Sequence, residues 1–237
     1  MRAVAVPEGA AVSVAVRDLR SGRAAGHGDR VFATASIVKV DILAALLLGA
    51  QDAGRWPAAR ERAAAAAMIG TSDNEAASAL WRTIGGAAGL DAANERLGLT
   101  GTRGGDGPRW GLTRTTAAEQ LMLLEQVFGE RSQLHAAGRR YVEGLMGRVV
   151  PGQDWGVSAV ADGSAWALKN GWMPRSTTGR WTVHSIGRVT VRGRDLLLAV
   201  LSDGSATREA GVSLVESAAR AAVSAFTGDG RAGPGVP

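Results

Sequence analysis

The stretch SIVKVDILAALLLGA, residues 36–50, predicts the first long helix of the chain. Its apolar residues Val40, Leu43 and Leu47 recur at the three- and four-residue spacing of one buried helical face. Two charged residues interrupt the stretch, and it is shorter than the roughly 20 residues that a membrane span needs. It is therefore expected to be a core helix and not a membrane span.

A serine and a lysine at the start of this helix indicate a candidate catalytic pair. Because residues i and i+3 share one face of a helix, Lys39 is expected beside the Ser36 hydroxyl. A serine is a poor nucleophile until a base takes its proton, and a neutral lysine is such a base when burial and a second cation lower its pKa. Lys169 is the candidate for that second cation. The alternative for the pair is a helix-capping serine and a lysine that extends to solvent.

The scarcity of lysine strengthens this interpretation. Of 27 basic residues, 25 are arginine, and only Lys39 and Lys169 are lysine. Arginine stays protonated in proteins, whereas lysine can lose its proton in a desolvated site and act as a base. In a chain that favours arginine so strongly, the two lysines are candidates for roles that arginine cannot fill.

Two further motifs follow along the chain. Ser72-Asp73-Asn74 is expected in a loop between helices, and Lys169-Asn170-Gly171 at the end of a strand. Because asparagine occurs only three times, the first triplet is expected about 0.01 times by chance in a chain of this composition. Its alternative is a helix cap before Glu75, since all three residue types favour that position. Alone, Lys169 would be an ordinary strand-end charge, but the three motifs together favour a site.

Hydrophobic periodicity predicts strands at both ends of the chain and helices between them. Alternating apolar residues from Val12 to Val16 and a second run through Phe32 predict a β-hairpin. Thr116, followed by Glu119 three residues on, predicts a capping box at the start of a helix. The other predicted elements are helices at about 57–70, 75–84, 90–97 and 133–149, strands at 165–169, 181–190 and 195–201, and a closing helix at about 209–226.

This order predicts an α/β (α+β) fold, in which a mostly antiparallel sheet is flanked by helices and carries an inserted all-helical lobe. Residues 1–237 are expected to form a single domain, with a sheet lobe at about 1–35 and 150–227, a helical lobe at about 36–149 and a frayed tail at 228–237. A cleft between the lobes is the natural place for a ligand. The glycine-rich stretch Gly98–Thr113 is expected to be a long surface loop, of the kind that borders sites.

Composition excludes several classes of function. The 237 residues include no cysteine and only three widely spaced histidines, so neither a metal site nor a cofactor is expected. The net charge of +5 comes from scattered residues with no interleaved aromatics, which argues against nucleic acid as a partner. Because no secretory signal precedes the first strand, the chain is expected to be cytoplasmic, or secreted if an export leader has been removed.

At its three motifs the sequence resembles the serine β-lactamase and penicillin-binding protein superfamily, most closely the class A β-lactamase-like group. The resemblance covers nearly the whole chain. It implies that Ser36 is acylated, that Lys39 assists proton transfer and that Ser72 carries a proton to the leaving nitrogen. It also implies that Asn74 orients lysine and substrate, and that Lys169 anchors a substrate carboxylate.

The same resemblance implies an oxyanion hole and a set of substrate contacts. The family oxyanion hole corresponds here to the backbone N–H groups of Ser36 and Trp172. The residues expected to contact substrate are Asn170, Gly171, Trp172 and Asp106.

Two departures from the family pattern bear on turnover. Asn170 stands where the third motif commonly has a hydroxyl residue, although an amide can still hydrogen-bond a carboxylate. Class A enzymes also carry a glutamate about 36 residues after the serine of the second motif, where it activates the deacylating water, and that count falls on Pro108. Asp106 is the only acid nearby, and its alternative is a turn residue. Acylation is therefore better supported than hydrolysis.

The expected function is that of an active-site serine hydrolase, which forms an acyl-enzyme at Ser36 with a β-lactam, amide or ester. Its partner would be a small-molecule or peptide acyl donor, and deacylation by the usual glutamate route would be slow or absent. Two alternatives stay open: a penicillin-binding-like or biosynthetic acyltransferase that passes the acyl group to an amine, and a non-catalytic binding protein on the same fold. Trp110, Trp155 and Trp172 are expected to line the cleft, with core packing as an equal alternative for Trp110 and Trp155.

Overall fold

The computed structural model describes residues 4–163 and 165–228. Its strands are β1 Ala11–Asp18, β2 Ala24–His27, β3 Phe32–Ala33, β4 Arg114–Thr115, β5 Trp166–Pro174, β6 Trp181–Val191 and β7 Arg194–Ser205. Its helices are α1 Val38–Asp52, α2 Ala59–Gly70, α3 Asn74–Thr83, α4 Gly86–Leu97, α5 Ala117–Phe128, α6 Ala136–Met146 and α7 Arg208–Thr227. Short 3₁₀ turns cover Ala35–Ile37, Trp110–Leu112 and Val157–Val160. Of the predicted tail at 228–237, all but Gly228 lies outside the described residues.

A five-stranded sheet joins the two ends of the chain. Its strand order is β2-β1-β7-β6-β5, and every neighbouring pair is antiparallel. Helices α1 to α6 lie between β3 and β5 in the chain, and α7 follows the last strand. The predicted α/β fold, with an antiparallel sheet flanked by helices, is confirmed. The division of residues 1–237 into two lobes stays a prediction.

The two faces of the sheet are covered by different helices. Along β7, Leu196 and Leu198 belong to the apolar cluster that α7 completes, whereas Leu197 and Ala199 belong to the larger cluster that includes α1 and α5. This alternation follows from the two-residue period of a strand. On β5 it places Lys169 on the face that packs against the helical segments between β3 and β5.

The predicted hairpin is wrong in its second half. β2 ends at His27, and Phe32–Ala33 instead forms β3, which pairs with β4. Gly28, with a φ of 76°, turns the chain away from β1, and a Cβ there would lie 2.6 Å from Ser13 Oγ. A side chain at position 28 would therefore prevent this close approach.

The predicted end of the strand at Lys169 is also wrong. β5 continues through Gly171 to Pro174, so Lys169 is its fourth residue. Gly171 pairs with His184 of β6 and does not interrupt the ladder. The strand continues because the glycine marks a close backbone approach and not a turn.

The predicted capping box at the start of α5 forms only in part. Thr116 Oγ1 accepts a hydrogen bond from the Glu119 N–H at 3.2 Å, as expected. The Glu119 carboxylate does not close the box, and it accepts instead from the N–H groups of Gly101 and Thr102, both at 3.0 Å. This contact ties the start of the Gly98–Thr113 stretch to α5.

None of the helices in the described ranges has the length and hydrophobicity required to span a membrane.

Candidate active site

Ser36 lies in the 3₁₀ turn Ala35–Ile37, which leads directly into α1. The preceding residue, Ala35, has a φ of 46°, a left-handed conformation that residues other than glycine rarely adopt. Such strain persists only where the surroundings impose it, and it is frequent at functional sites. Ser36 is partly exposed, so its hydroxyl is accessible from solvent.

The edge strand β5 approaches this turn closely at Gly171. A Cβ at position 171 would lie 2.8 Å from the backbone nitrogens of both Ser36 and Ile37. These atoms belong to the backbone and cannot move aside as a flexible side chain can. Gly171 is therefore required for the third motif to reach the first one.

Lys39 is buried in the first turn of α1, where its ammonium meets oxygen atoms of the second motif. Nζ donates to Ser72 O at 2.6 Å, Asn74 Oδ1 at 2.8 Å and Ser72 Oγ at 3.1 Å. Burial lowers the pKa of Lys39 to about 8, and the carboxylate of Asp73 opposes that shift. Ser36 Oγ is not a hydrogen-bond partner of Lys39 within the described residues. The expected contact between Lys39 and the Ser36 hydroxyl stays a prediction.

Lys169 approaches the same hydroxyl from the sheet. It is 1% exposed, and its Nζ donates to Ser72 Oγ at 3.1 Å and to Asn170 O at 2.7 Å. Burial, followed by the positive charge of Lys39, lowers the pKa of Lys169 well below its ordinary value. Ser72 Oγ thus lies between two buried amines, and in residues 4–163 and 165–228 no carboxylate forms an ion pair with either of them.

The second motif is both a helix cap and part of the cluster. Asp73 is the N-cap of α3, and its carboxylate accepts from the Ala76 N–H at 2.7 Å. Ser72, on one side of the cap, has a φ of 59°, and Asn74, on the other, is the first residue of α3. Asp73 makes the predicted cap while its two neighbours contact Lys39, so the cap does not exclude the site interpretation, which stays a prediction.

An aromatic residue completes the surroundings of Lys39. The ring centroid of Trp110 lies 5.0 Å from Lys39 Nζ, a distance at which a cation and an indole ring attract each other. Trp110 Nε1 donates to Ser78 Oγ at 3.2 Å. The sequence left Trp110 open between cleft and core, and it gave no reason to select Ser78. The available signal was the position of Ser78 four residues after Asn74, on the same face of α3.

Asn170 and Asp106 lie apart from this cluster. The Asn170 amide nitrogen donates to the carbonyls of Gln153 and Trp155, at 2.8 and 2.9 Å, on the face of β5 opposite Lys169. It holds the segment before β5 and does not point toward Ser36. Asp106 has a side chain that is 93% exposed and lies 3.7 Å from Arg109. Neither side chain contacts the two lysines.

Trp172 has its ring on the same face of β5 as Asn170. The ring lies between the Arg208 guanidinium, 4.6 Å from its centroid, and the Trp155 ring, at 5.9 Å. The expected role of Trp172 in the oxyanion hole concerns its backbone N–H alone, and that role stays a prediction.

His184 braces the segment that carries Ser36. It is fully buried; its Nδ1 accepts from the Ser202 N–H at 3.1 Å, so its Nε2–H is the one that donates to Ala33 O at 2.8 Å. Burial lowers the pKa of His184 to about 4, which keeps the ring neutral. Its neighbour Ser185 accepts from the Val157 N–H on the other face, so the two do not form a catalytic pair.

Within the described ranges, acidic and histidine side chains form no group that could hold a metal ion.

Comparisons with known proteins identify a family and a shared fold. Residues 59–226 match the family model Beta-lactamase2, described as the beta-lactamase enzyme family. The matched range contains the second and third motifs and begins after Ser36 and Lys39. A Mycobacterium tuberculosis protein named "Putative lipoprotein LppW" is 32% identical over 114 residues, which are 48% of this chain and 36% of that protein. A protein of the same name from Mycobacterium bovis matches equally, so the match spans about a third of the length of these curated relatives.

Solved structures extend the likeness to nearly the whole chain. The structure of PBP-A has a TM-score of 0.81 and 22% identity, and covers 95% of this chain and 93% of its own. The TLA-1 extended-spectrum β-lactamase has a TM-score of 0.77 and 17% identity, and covers 89% of this chain and 91% of its own. At these levels of identity the two structures show a shared fold.

Proposed function

This chain belongs to the beta-lactamase enzyme family, and from that premise we propose that it is an active-site serine enzyme that transfers an acyl group onto Ser36. The substrate would be a β-lactam, amide or ester. The observation that carries the proposal is the position of Ser72 Oγ, 3.1 Å from the Nζ atoms of both Lys39 and Lys169. Two buried amines around one hydroxyl form a path for protons beside the proposed nucleophile.

The proposed acylation uses the chain's own groups at each step. Lys39, whose pKa is lowered to about 8, takes the proton of Ser36 Oγ as that oxygen attacks the carbonyl carbon. The developing oxyanion is stabilised by the Ser36 N–H, and by the Trp172 N–H if that backbone group turns to the cleft. The carbon–nitrogen bond then breaks, and the nitrogen takes a proton through Ser72.

A carboxylate on the substrate fits the electrostatics of the cluster. Lys39 and Lys169 both donate to Ser72 Oγ, and in the described part of the chain no carboxylate forms an ion pair with either, so burial and the charge of Lys39 disfavour the protonated form of Lys169. An anionic substrate would supply the missing counter-charge. Because the Asn170 amide is engaged with the segment before β5, Lys169 is the better candidate for this anchor.

Transfer to an amine is the second candidate function. Among the described residues no carboxylate contacts the two lysines, and such a group would be needed to activate water in the usual way. This favours transfer to an amine.

The word lipoprotein in the name of the mycobacterial relatives favours the exported one of the two expected locations.

Intact-mass spectrometry after incubation with penicillin G tests the proposal. We expect an adduct of the mass of the drug on the wild-type protein and none on the Ser36→Ala variant. The absence of an adduct with penicillin G and with a panel of activated esters would contradict the proposal and favour a binding protein on the same fold.

A further inference from the structure

The indole of Trp110 covers the solvent side of the Lys39 ammonium. Lys39 has no exposed surface, whereas Trp110, with its ring centroid 5.0 Å from Nζ, remains partly exposed. The hydrogen bond from Trp110 Nε1 to Ser78 Oγ fixes the ring against α3. The ring therefore takes the place beside the amine that water would otherwise occupy.

The hydrogen-bonding capacity of Lys39 is also fully used. An ammonium has three N–H donors, and Nζ has three oxygen partners, supplied by Ser72 and Asn74. With three oxygen partners and the indole beside it, the protonated Lys39 has no N–H left with which to position a water. Lys169 offers no substitute, because two of its N–H groups donate to Ser72 and Asn170 and the proposed function assigns the third to the carboxylate of the substrate.

We propose that Trp110 is a specificity-determining residue, which protects the acyl-enzyme from water and leaves it to an amine acceptor. This inference rests on the acyl-enzyme function proposed above. The leaving nitrogen departs past Ser72, and by microscopic reversibility an incoming amine can use the same path in reverse. The amine nitrogen bonds to the acyl carbon, the bond from that carbon to Ser36 Oγ breaks, and the proton of the amine returns to Oγ through Ser72 and Lys39. The indole N–H of Trp110 donates to Ser78 and not to Ser72, through which this path runs.

The test compares Trp110→Ala with the conservative variant Trp110→Phe. Each protein is acylated with penicillin G, excess drug is removed, and intact mass records the loss of the adduct in buffer and in hydroxylamine. We expect Trp110→Ala to lose the adduct in buffer at least ten-fold faster than wild type, and Trp110→Phe to stay within about three-fold of wild type, because a phenyl ring still covers the amine. The fraction released as hydroxamate should fall in Trp110→Ala alone.

The ratio of hydroxamate to hydrolysed product separates this role from a structural one, since loss of folded protein would lower both products together. If Trp110→Ala is unfolded by circular dichroism, Trp110→Leu takes its place, with the same expectation. Suppose that the wild type forms an adduct, that Trp110→Ala and Trp110→Leu lose it no faster, and that the ratio of hydroxamate to hydrolysed product is unchanged. This result overturns the role of Trp110 and leaves the acyl-enzyme proposal standing. The absence of any adduct on the wild type overturns both.

Discussion

Replacing Asp41 by asparagine should stabilise the protein above pH 7. Asp41 is fully buried in α1, and its Oδ1 accepts a hydrogen bond from Gln120 Nε2 at 3.3 Å. Its Oδ2 has no partner in the described structure, and no cation pairs with it. Burial therefore raises the pKa of Asp41 to about 7.

The magnitude follows from the shift in pKa. The native state keeps the proton of Asp41 up to about pH 7, whereas the unfolded chain releases it near its ordinary pKa of 3.8. Stability from this group is thus complete below about pH 4 and is lost as pH rises to 7. A difference of about 3 pKa units, at about 1.4 kcal/mol per unit, amounts to about 4 kcal/mol. Asp41→Asn, which carries no charge, should recover most of that free energy above pH 7 and almost none near pH 4.

Urea unfolding of wild type and Asp41→Asn at several pH values between about 4 and 8 measures this difference. Asp52, at the exposed end of the same helix, provides the matched control. It forms an ion pair with Arg96, and the Arg96 guanidinium lowers its pKa, so Asp52→Asn should bring no gain above pH 7. Equal stability of wild type and Asp41→Asn at pH 8, or a gain that does not grow with pH, would refute the reasoning.

Three further predictions concern the site and its support. The rate of acylation should rise with pH through the Lys39 pKa of about 8, because the neutral amine is the base. Lys39→Arg should abolish acylation in a folded protein, because arginine stays protonated. An acylated Lys39→Arg protein would contradict the base role. Gly171→Ala places a Cβ 2.8 Å from Ser36 N and should slow acylation by about 100-fold. The control Gly49→Ala, whose Cβ on α1 meets open space, should leave the rate unchanged. Stopped-flow measurement of the acylation rate compares the two variants. His184 has a pKa of about 4 against an ordinary 6.5, so the unfolded state binds the extra proton and stability should fall by about 3 kcal/mol as pH drops through that range. Because Asp41 acts in the opposite direction there, the slope is best measured by urea unfolding in Asp41→Asn, and its persistence in His184→Gln would show that His184 is not its source.

Local sequence patterns were sufficient to predict the structure where a single helix determines it. The periodicity of residues 36–50 correctly predicts a buried helix, and Thr116 correctly predicts the start of α5. The position of Lys39 near Ser72 was implied by the family resemblance, and the scarcity of lysine pointed independently to the same residue. Composition and spacing therefore selected these residues, and the family resemblance supplied their expected roles.

The errors arise where contacts distant in sequence override local patterns. Gly171 reads as a strand terminator, but it is an approach point for the Ser36 turn, which lies more than a hundred residues earlier. Glu119 reads as half of a capping box, but its carboxylate is taken by the N–H groups of Gly101 and Thr102. The direction of the Asn170 amide depends on the carbonyls of Gln153 and Trp155, which no motif in the sequence identifies.

The pairing of β1 with β7 has a consequence for how the protein reaches its native state. Val14 lies opposite Val200, so the first strand, which pairs locally with β2, finds its second partner only after β7 has left the ribosome. The His184 brace on Ala33 has the same long span. Such non-local closure slows folding, and nascent chains that stop before β7 should be incompetent for acylation. The proposed nucleophile, encoded early, would thus become competent only after β7 has been synthesised.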